Sequence, residues 1–254
     1  MNIAYYSAVS GLQAFQAQLD ATANNMANAN TIGYKPLKAS FDDLLYTQMD
    51  VKTQGEHMIG HGVRGVGMET VFAQGLFERT DRELDFAVSG TGYFAVDNGG
   101  DRPVYTRDGA FQISSTPEGN FLTTRNGDYV LDSNGNRIAL AYQTIEDENG
   151  NPVPGTGLDL TGLSTRIGLY TCEYPSGLIP LGKNLYGTSP NSGQWAPVAM
   201  QTEGNKILSG ALELSRTDVT DEMVNLIQAQ RAFQLNSRIV TSADQMEEFV
   251  NNLR

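Results

Sequence analysis

The two histidines of the chain stand four residues apart in "EHMIGH", His57 and His61 with Glu56 alongside, residue types that can hold zinc. A helical zinc-hydrolase motif needs glutamate directly after the first histidine, where this sequence has Met58. Gly60 and Gly62 also oppose the helix that would bring both rings to one face. The pair reads as loop histidines. "GHGVRG" satisfies G-x-G-x-x-G by its letters alone, without the strand–turn–helix setting of a phosphate cradle. "DSNGN" and "DENGN" offer calcium-type ligands but lack the loop's sixth-position glycine and twelfth-position glutamate, and read as hairpin turns. Two histidines give no persuasive nucleophile–base–acid triad. The expectation is a protein with no catalytic residue, no bound cofactor and no metal.

Bulk properties narrow the partners. Asp and Glu number 29 against 17 Lys and Arg, a formal charge of −12, which argues against nucleic acid because phosphate binding needs clustered cations. Forty per cent hydrophobic and 18% charged residues is globular composition, enough for one or two domains. No apolar run approaches the roughly 20 residues that span a bilayer, so no membrane insertion is expected. "MNIAYYSAVSG" has neither the basic region nor the continuous apolar core of a secretory signal. Cys172 is the single cysteine, so no intrachain disulfide frames the fold.

The elements that position these residues are of two kinds. From Tyr5, Ala8, Leu12, Phe15, Leu19, Thr22 and Met26 step by three and four, with Tyr5, Val9, Gln16 and Ala23 on a neighbouring stripe. That heptad-like seam predicts a helix packed along another helix and stopping near Thr31-Ile32-Gly33, with Gly33 left-handed after the last turn. A longer C-terminal helix is expected over 217–254, where no Gly or Pro intervenes. Thr217, Asp218 or Thr220 caps it, Asp221 and Glu222 suit its first turn, and Ala232, Leu235, Ile239, Ser242, Met246, Phe249 and Leu253 keep the alternation. Met223, Leu226, Ile227 and Phe233 add an adjoining apolar face. From about Val63 to Leu212 the period falls to two between Asn-Gly and Asp-Gly turns, predicting short antiparallel strands in a β-sandwich or irregular barrel. The class is α+β: terminal helices in a coiled-coil-like pair and a central, mainly antiparallel β-domain. The boundaries read as 1–35 for the first helix and its turn, 36–83 for a connection with a short helix at "FDDLLYTQ" and extended strands, 84–212 for the β-domain, and 213–254 for the last helix.

The stretch "ANNMANANTIGYK" raises a separate question. Between Met1 and Tyr34 the only charged side chain is Asp20. Gln13, Gln16, Gln18, Asn24, Asn25 and Asn28 stand where a solvated helix face usually carries charges. Amides hydrogen-bond without the desolvation cost of a charge, so such a helix can be enclosed on several sides. Self-association through the chain ends is one reading, an amphipathic helix that happens to use amides the other.

The same stretch resembles the Ala-Asn-Asn-x-Ala-Asn-x-x-Thr-x-Gly-[Phe/Tyr]-Lys signature of the bacterial flagellar rod and hook protein family. "LDFAVSGTGYFAVDNGGDRPVYTRDGAFQIS" with "GNFLTTRNGDYVLD" is similar to that family's β-core, and "LSGALELSRTDVTDEMVNLIQAQRAFQLNSRIVTSADQM" to its C-terminal motif. "SFDDLLYTQ" and the chain length look most like the distal rod. The resemblance implies a structural subunit polymerising into the helical axial rod of the flagellar basal body and transmitting torque towards the hook. Its partners would be copies of itself, neighbouring rod and hook axial proteins, and the type III export apparatus, which would explain the absence of a signal sequence. Proximal rod or hook-type subunits share the end motifs. A surface-binding or cap module presenting Trp195, or an unrecognised hydrolase, are the readings of another class; Trp195 reads otherwise as a loop anchor packed on the core. The subunit interface is expected to use Leu12, Phe15, Leu19 and Met26, with Asn24, Asn25, Asn28, Gly33 and Tyr34 from the signature. From the C-terminal helix it would take Met223, Ile227, Arg231, Phe233, Asn236, Ile239 and Met246.

Overall fold

A computed structural model describes residues 3–49, 57–100, 102–146, 152–197 and 204–253, with the backbone alone at 49, 57, 143–146 and 152–156. The protein is α+β, with a helix at each end of the chain and an antiparallel β-region between. It divides into two units: Met1–Ala29, Pro36–Val71 and Thr217–Arg254 form one, Asn30–Lys35 and Phe72–Arg216 the other.

In the helical unit the N-terminal helix spans Ile3–Ala27 and the C-terminal helix Val219–Asn252. Asp218 caps the second, its Oδ1 accepting from the backbone N–H of Thr220 at 2.8 Å and Asp221 at 3.4 Å, with Asp221 and Glu222 in the first turn as expected. The helices lie against each other and run antiparallel: Asn25 meets Glu222, and Gly11 faces Asn236. A Cβ on Gly11 would come within 2.9 Å of the Asn236 amide, so glycine leaves the space that this side chain fills. The deepest contacts are small: Ala8, Gly11, Ala14, Ala21, Thr22 and Asn25 on one helix, Ala229 and Ala243 on the other. Of the larger residues expected in the seam, Leu12, Phe15, Leu19 and Met26 are half-buried. Close approach of two backbones seats the small residues centrally and leaves long ones at the margins.

The first helix ends at Ala27, several residues before the expected stop. Asn28 turns back on the last turn, its Nδ2 donating to the Asn24 carbonyl at 2.9 Å, and such local side-chain bonds compete with helix continuation. The short helix expected at "FDDLLYTQ" is not formed: Leu37–Asp43 and Tyr46–Met49 are strands. Leu37–Asp43 pairs antiparallel with Val63–Thr70 through a bulge at Ser40/Phe41, and Tyr46–Met49 with His57–Gly60. Phe41, Tyr46 and Thr47 favour strands, and the cross-strand ladder decides where local propensity is weak.

The β-unit is built, among the described residues, on one branched ten-stranded antiparallel sheet with smaller two-stranded ladders. Tyr93–Asp97 is its hub, pairing with Val104–Thr106, Tyr129–Val130 and Leu169–Cys172. Its alternate residues feed two apolar clusters, Phe94 and Val96 joining Phe86, Phe111, Leu122 and Ile167, and Tyr93 and Ala95 joining Tyr105, Leu131 and Tyr186. The hub strand is therefore buried on both faces, which the expected apolar–polar alternation did not anticipate. "DSNGN" is the turn it reads as, with Asp132 N–H bonded to the Asn136 carbonyl at 2.9 Å and Gly135 at φ 81°. Two further strands from late in the chain complete the unit: Lys206–Ser209 pairs with Phe86–Ser89, and Ala211–Glu213 with Phe77–Arg79.

Candidate assembly interface and the junction of the motifs

The expected interface residues separate into a buried and an exposed group. Asn25 is 2% exposed: its Nδ2 donates to the Leu37 carbonyl and to Glu222 Oε1, and its Oδ1 accepts from Leu37 N–H, each at 2.8 Å. It ties helix to ribbon and helix to helix inside its own unit. Gly33 is also buried, at φ 67°, and a Cβ there would lie 2.8 Å from the Arg107 carbonyl, so only glycine fits. Tyr34 and Asn28 are half-buried and Asn24 is exposed, its Oδ1 accepting from Asn28 Nδ2 at 3.0 Å.

On the C-terminal helix Phe233 and Asn236 are half-buried, while Met223, Ile227, Arg231, Ile239 and Met246 are exposed. Val219, Val224, Leu235, Phe249, Val250 and Leu253 are exposed as well, Phe249 at 69%. Exposed apolar residues recurring along a whole helix, on more than one face, are the ordinary sign of a surface that is covered elsewhere.

The three motifs meet inside the β-unit, at a cluster that spacing alone did not reveal. Lys35 ends the signature "TIGYK", Arg107 lies in "YTRDG" and Glu213 in "ALELS". Lys35 Nζ donates to Glu213 Oε1 at 2.6 Å and to the Ala73 carbonyl at 2.7 Å. Arg107 Nη1 donates to Glu213 Oε2 at 3.3 Å and Nη2 to the Gly90 carbonyl at 2.7 Å, and the guanidinium lies 4.8 Å from the centre of the Tyr93 ring. Glu213 Oε1 also accepts from Gly75 N–H at 2.7 Å. The Lys35 and Glu213 side chains are 1% and 0% exposed. Burial pushes the Lys35 ammonium below the ordinary lysine value, with Glu213 pulling the other way. The pair draws two ends of the chain together, since Gly33 N–H also bonds the Glu213 carbonyl at 2.7 Å and Arg216 N–H the Tyr34 carbonyl at 3.3 Å.

Trp195 is half-buried and packs against the second apolar cluster, as the core-anchor reading has it. Its ring stacks on Tyr105 at 3.5 Å and meets Tyr93 edge-on at 5.7 Å, and burial pushes the Tyr105 phenol up to about 12. His61 lies 2.8 Å from Thr47 Oγ1 through Nε2, while the side chain of His57 and the turn "DENGN" fall outside the described residues. Among the described residues no group of three or more His, Cys, Asp or Glu is arranged to hold a metal, and no helix is long and apolar enough to cross a membrane.

Comparison with known proteins follows the same three segments. Residues 6–35 match the model for flagella basal body rod proteins, residues 87–154 that for the D1 domain of the flagellar hook protein FlgE/F/G, and residues 208–253 that for the C-terminal region of flagellar basal body rod FlgEFG proteins. Each matched segment supplies one charge of the buried cluster. The fold and these matches define a structural protein of the flagellar basal body. The chain is 34% identical over 260 residues to the flagellar basal-body rod protein FlgG of Bacillus subtilis, covering 97% of each. It is 30% identical over 268 residues to FlgG of Borreliella burgdorferi, covering 99% of this chain and 98% of the relative. It is also 32% identical over 262 residues to the flagellar hook-basal body complex protein FlhP of Bacillus subtilis, covering 96% of each. The chain belongs to the flagellar basal-body rod protein FlgG family, whose members are structural proteins of the rod.

Proposed function

We propose that this protein polymerises with itself into the distal rod, an open helical tube that carries motor torque towards the hook. An open polymer needs heterologous contacts, in which one surface of a copy meets a different surface of the next. The observation that carries this reading is the row of exposed apolar residues along the C-terminal helix, from Val219 to Leu253. In this reading the terminal helices form a coiled-coil-like pair. Leu12, Phe15, Leu19, Met26, Met223, Ile227, Phe233, Ile239 and Met246 supply apolar contact, and Asn24, Asn28, Tyr34, Arg231 and Asn236 polar contact that fixes register. Asn25 and Gly33, bonded within the chain, support these surfaces from beneath. Neighbouring rod and hook proteins would cap the polymer at either end, and the type III export apparatus would deliver the subunit.

Ile227→Asp tests the reading well, because Ile227 is 50% exposed and the substitution should leave the isolated subunit intact. Inside an assembled contact the same carboxylate would be buried unpaired. The expected result is a subunit with native circular dichroism and melting temperature, delivered normally, but no complete rod in purified basal bodies and no motility. Normal rods and swimming would refute the assembly surface.

A further inference from the structure

The buried cluster holds two cations and one anion. Lys35 and Arg107 are both supplied by the chain before residue 108, and among the described residues the only carboxylate that reaches either is Glu213, 178 residues after Lys35. The strand that carries Glu213 pairs with Phe77–Arg79, and the strand before it, Lys206–Ser209, pairs with Phe86–Ser89. The cluster is touched by Val88 of the second partner, whose carbonyl lies 3.4 Å from Arg107 Nη1, and by Gly75, two residues before the first, whose N–H bonds Glu213. One edge of the β-unit is thus closed by late strands that bring the counter-charge with them.

We propose that Glu213 is a closure latch: this edge stays open until residues 206–213 deliver their carboxylate between Lys35 and Arg107. Two enclosed cations without an anion are costly in a dry interior, since carbonyl dipoles only partly replace water. With Glu213 in place the cluster carries one net positive charge, which the Val88 and Gly90 carbonyls and the Tyr93 ring surround. Closure of the edge is therefore tied to the arrival of the C-terminal strand, whereas the sheet around Tyr93–Asp97 needs nothing from beyond residue 187 on its Val104–Thr106 side.

The test is amide hydrogen exchange on the full chain. In Glu213→Gln the cluster has two cations and no anion, while the new side-chain amide keeps an oxygen for Gly75 N–H. Amides of 86–89 and 206–209 should exchange at least about a hundredfold faster than in the parent, with those of 94–96 and 104–106 little changed. The double variant Lys35→Met, Glu213→Gln restores one net positive charge and should recover protection to within about tenfold of the parent. Protection unchanged in Glu213→Gln would overturn the latch. So would a double variant as open as the single one, because fit of the side chains rather than charge matching would then be responsible. If Glu213→Gln unfolds altogether, the double variant decides alone: folded supports the latch, unfolded refutes it.

Discussion

The two units complete their apolar surfaces in different ways. In the β-unit the strand Tyr93–Asp97 sends side chains into a cluster on each face, and Phe86, Phe94, Phe111 and Leu122 are fully enclosed by the unit's own residues. In the helical unit the 34-residue C-terminal helix hides only Ala229 and Ala243, leaving Met223, Ile227, Leu235, Ile239, Met246 and Phe249 in solvent. Fully burying a side chain of that size is favourable by about 1.5–3 kcal/mol. The β-unit collects that stabilisation within one chain, and the C-terminal helix leaves much of it ungained in the single chain.

The largest expected difference between the units lies in aromatic truncation. Phe86→Ala should lower the unfolding free energy of dilute subunit by roughly 3–5 kcal/mol, because Phe86 is 1% exposed. Phe249→Ala should change it by no more than about 0.5 kcal/mol, yet weaken polymerisation. Chemical denaturation of both at low concentration checks the pair, and similar losses would erase the distinction.

Backbone approach sharpens the same comparison. Gly33→Ala forces a methyl against the Arg107 backbone at a positive φ and should cost the β-unit about 1–3 kcal/mol. Gly65→Ala, in the ribbon of the helical unit with nothing within 4 Å of its Cβ, should be neutral or slightly stabilising. Melting temperatures of the two variants, measured side by side, decide this.

Asn25→Ala comes next. It strips Leu37 N–H of its side-chain acceptor and Glu222 of a donor, and should cost about 1–2 kcal/mol, read as loosened exchange of the Leu37 amide.

Smallest is Asp97→Asn, at the rim of the sheet. The Gly99 N–H and then Arg137 hold the Asp97 carboxyl below the ordinary aspartate value. Its contribution is therefore fully present above the ordinary carboxylate range and lost as pH falls through the lower folded value. Arg137 is 46% exposed, so the variant should be less stable at pH 7 by no more than about 0.5 kcal/mol, with the gap closing in acid. A gap that widened in acid would reverse the sign argued for this pair.

Much of this architecture was legible in residue patterns. An uninterrupted three–four alternation defined the C-terminal helix and narrowed its cap to three residues, of which Asp218 is the one, and Asn-Gly and Asp-Gly pairs marked the hairpins. "FDDLLYTQ" misled because its strand character comes from partners at 57–60 and 63–70, which no local window contains. The buried faces of the helices were misjudged in size, since alanine and glycine give a weak periodic signal beside Leu12, Phe15 and Leu19. The Lys35–Arg107–Glu213 cluster was hidden by distance along the chain. Its one local hint was Glu213, a charge standing between Leu212 and Leu214.

The central claim is that assembly, not the isolated chain, completes the helical unit. Amide hydrogen exchange, compared between dilute subunit and assembled rods, measures it directly. Amides of 219–252 should change from fast to slow exchange on assembly, while those of 94–96 should be equally slow in both states. Equal protection of the C-terminal helix in dilute and assembled protein would contradict it.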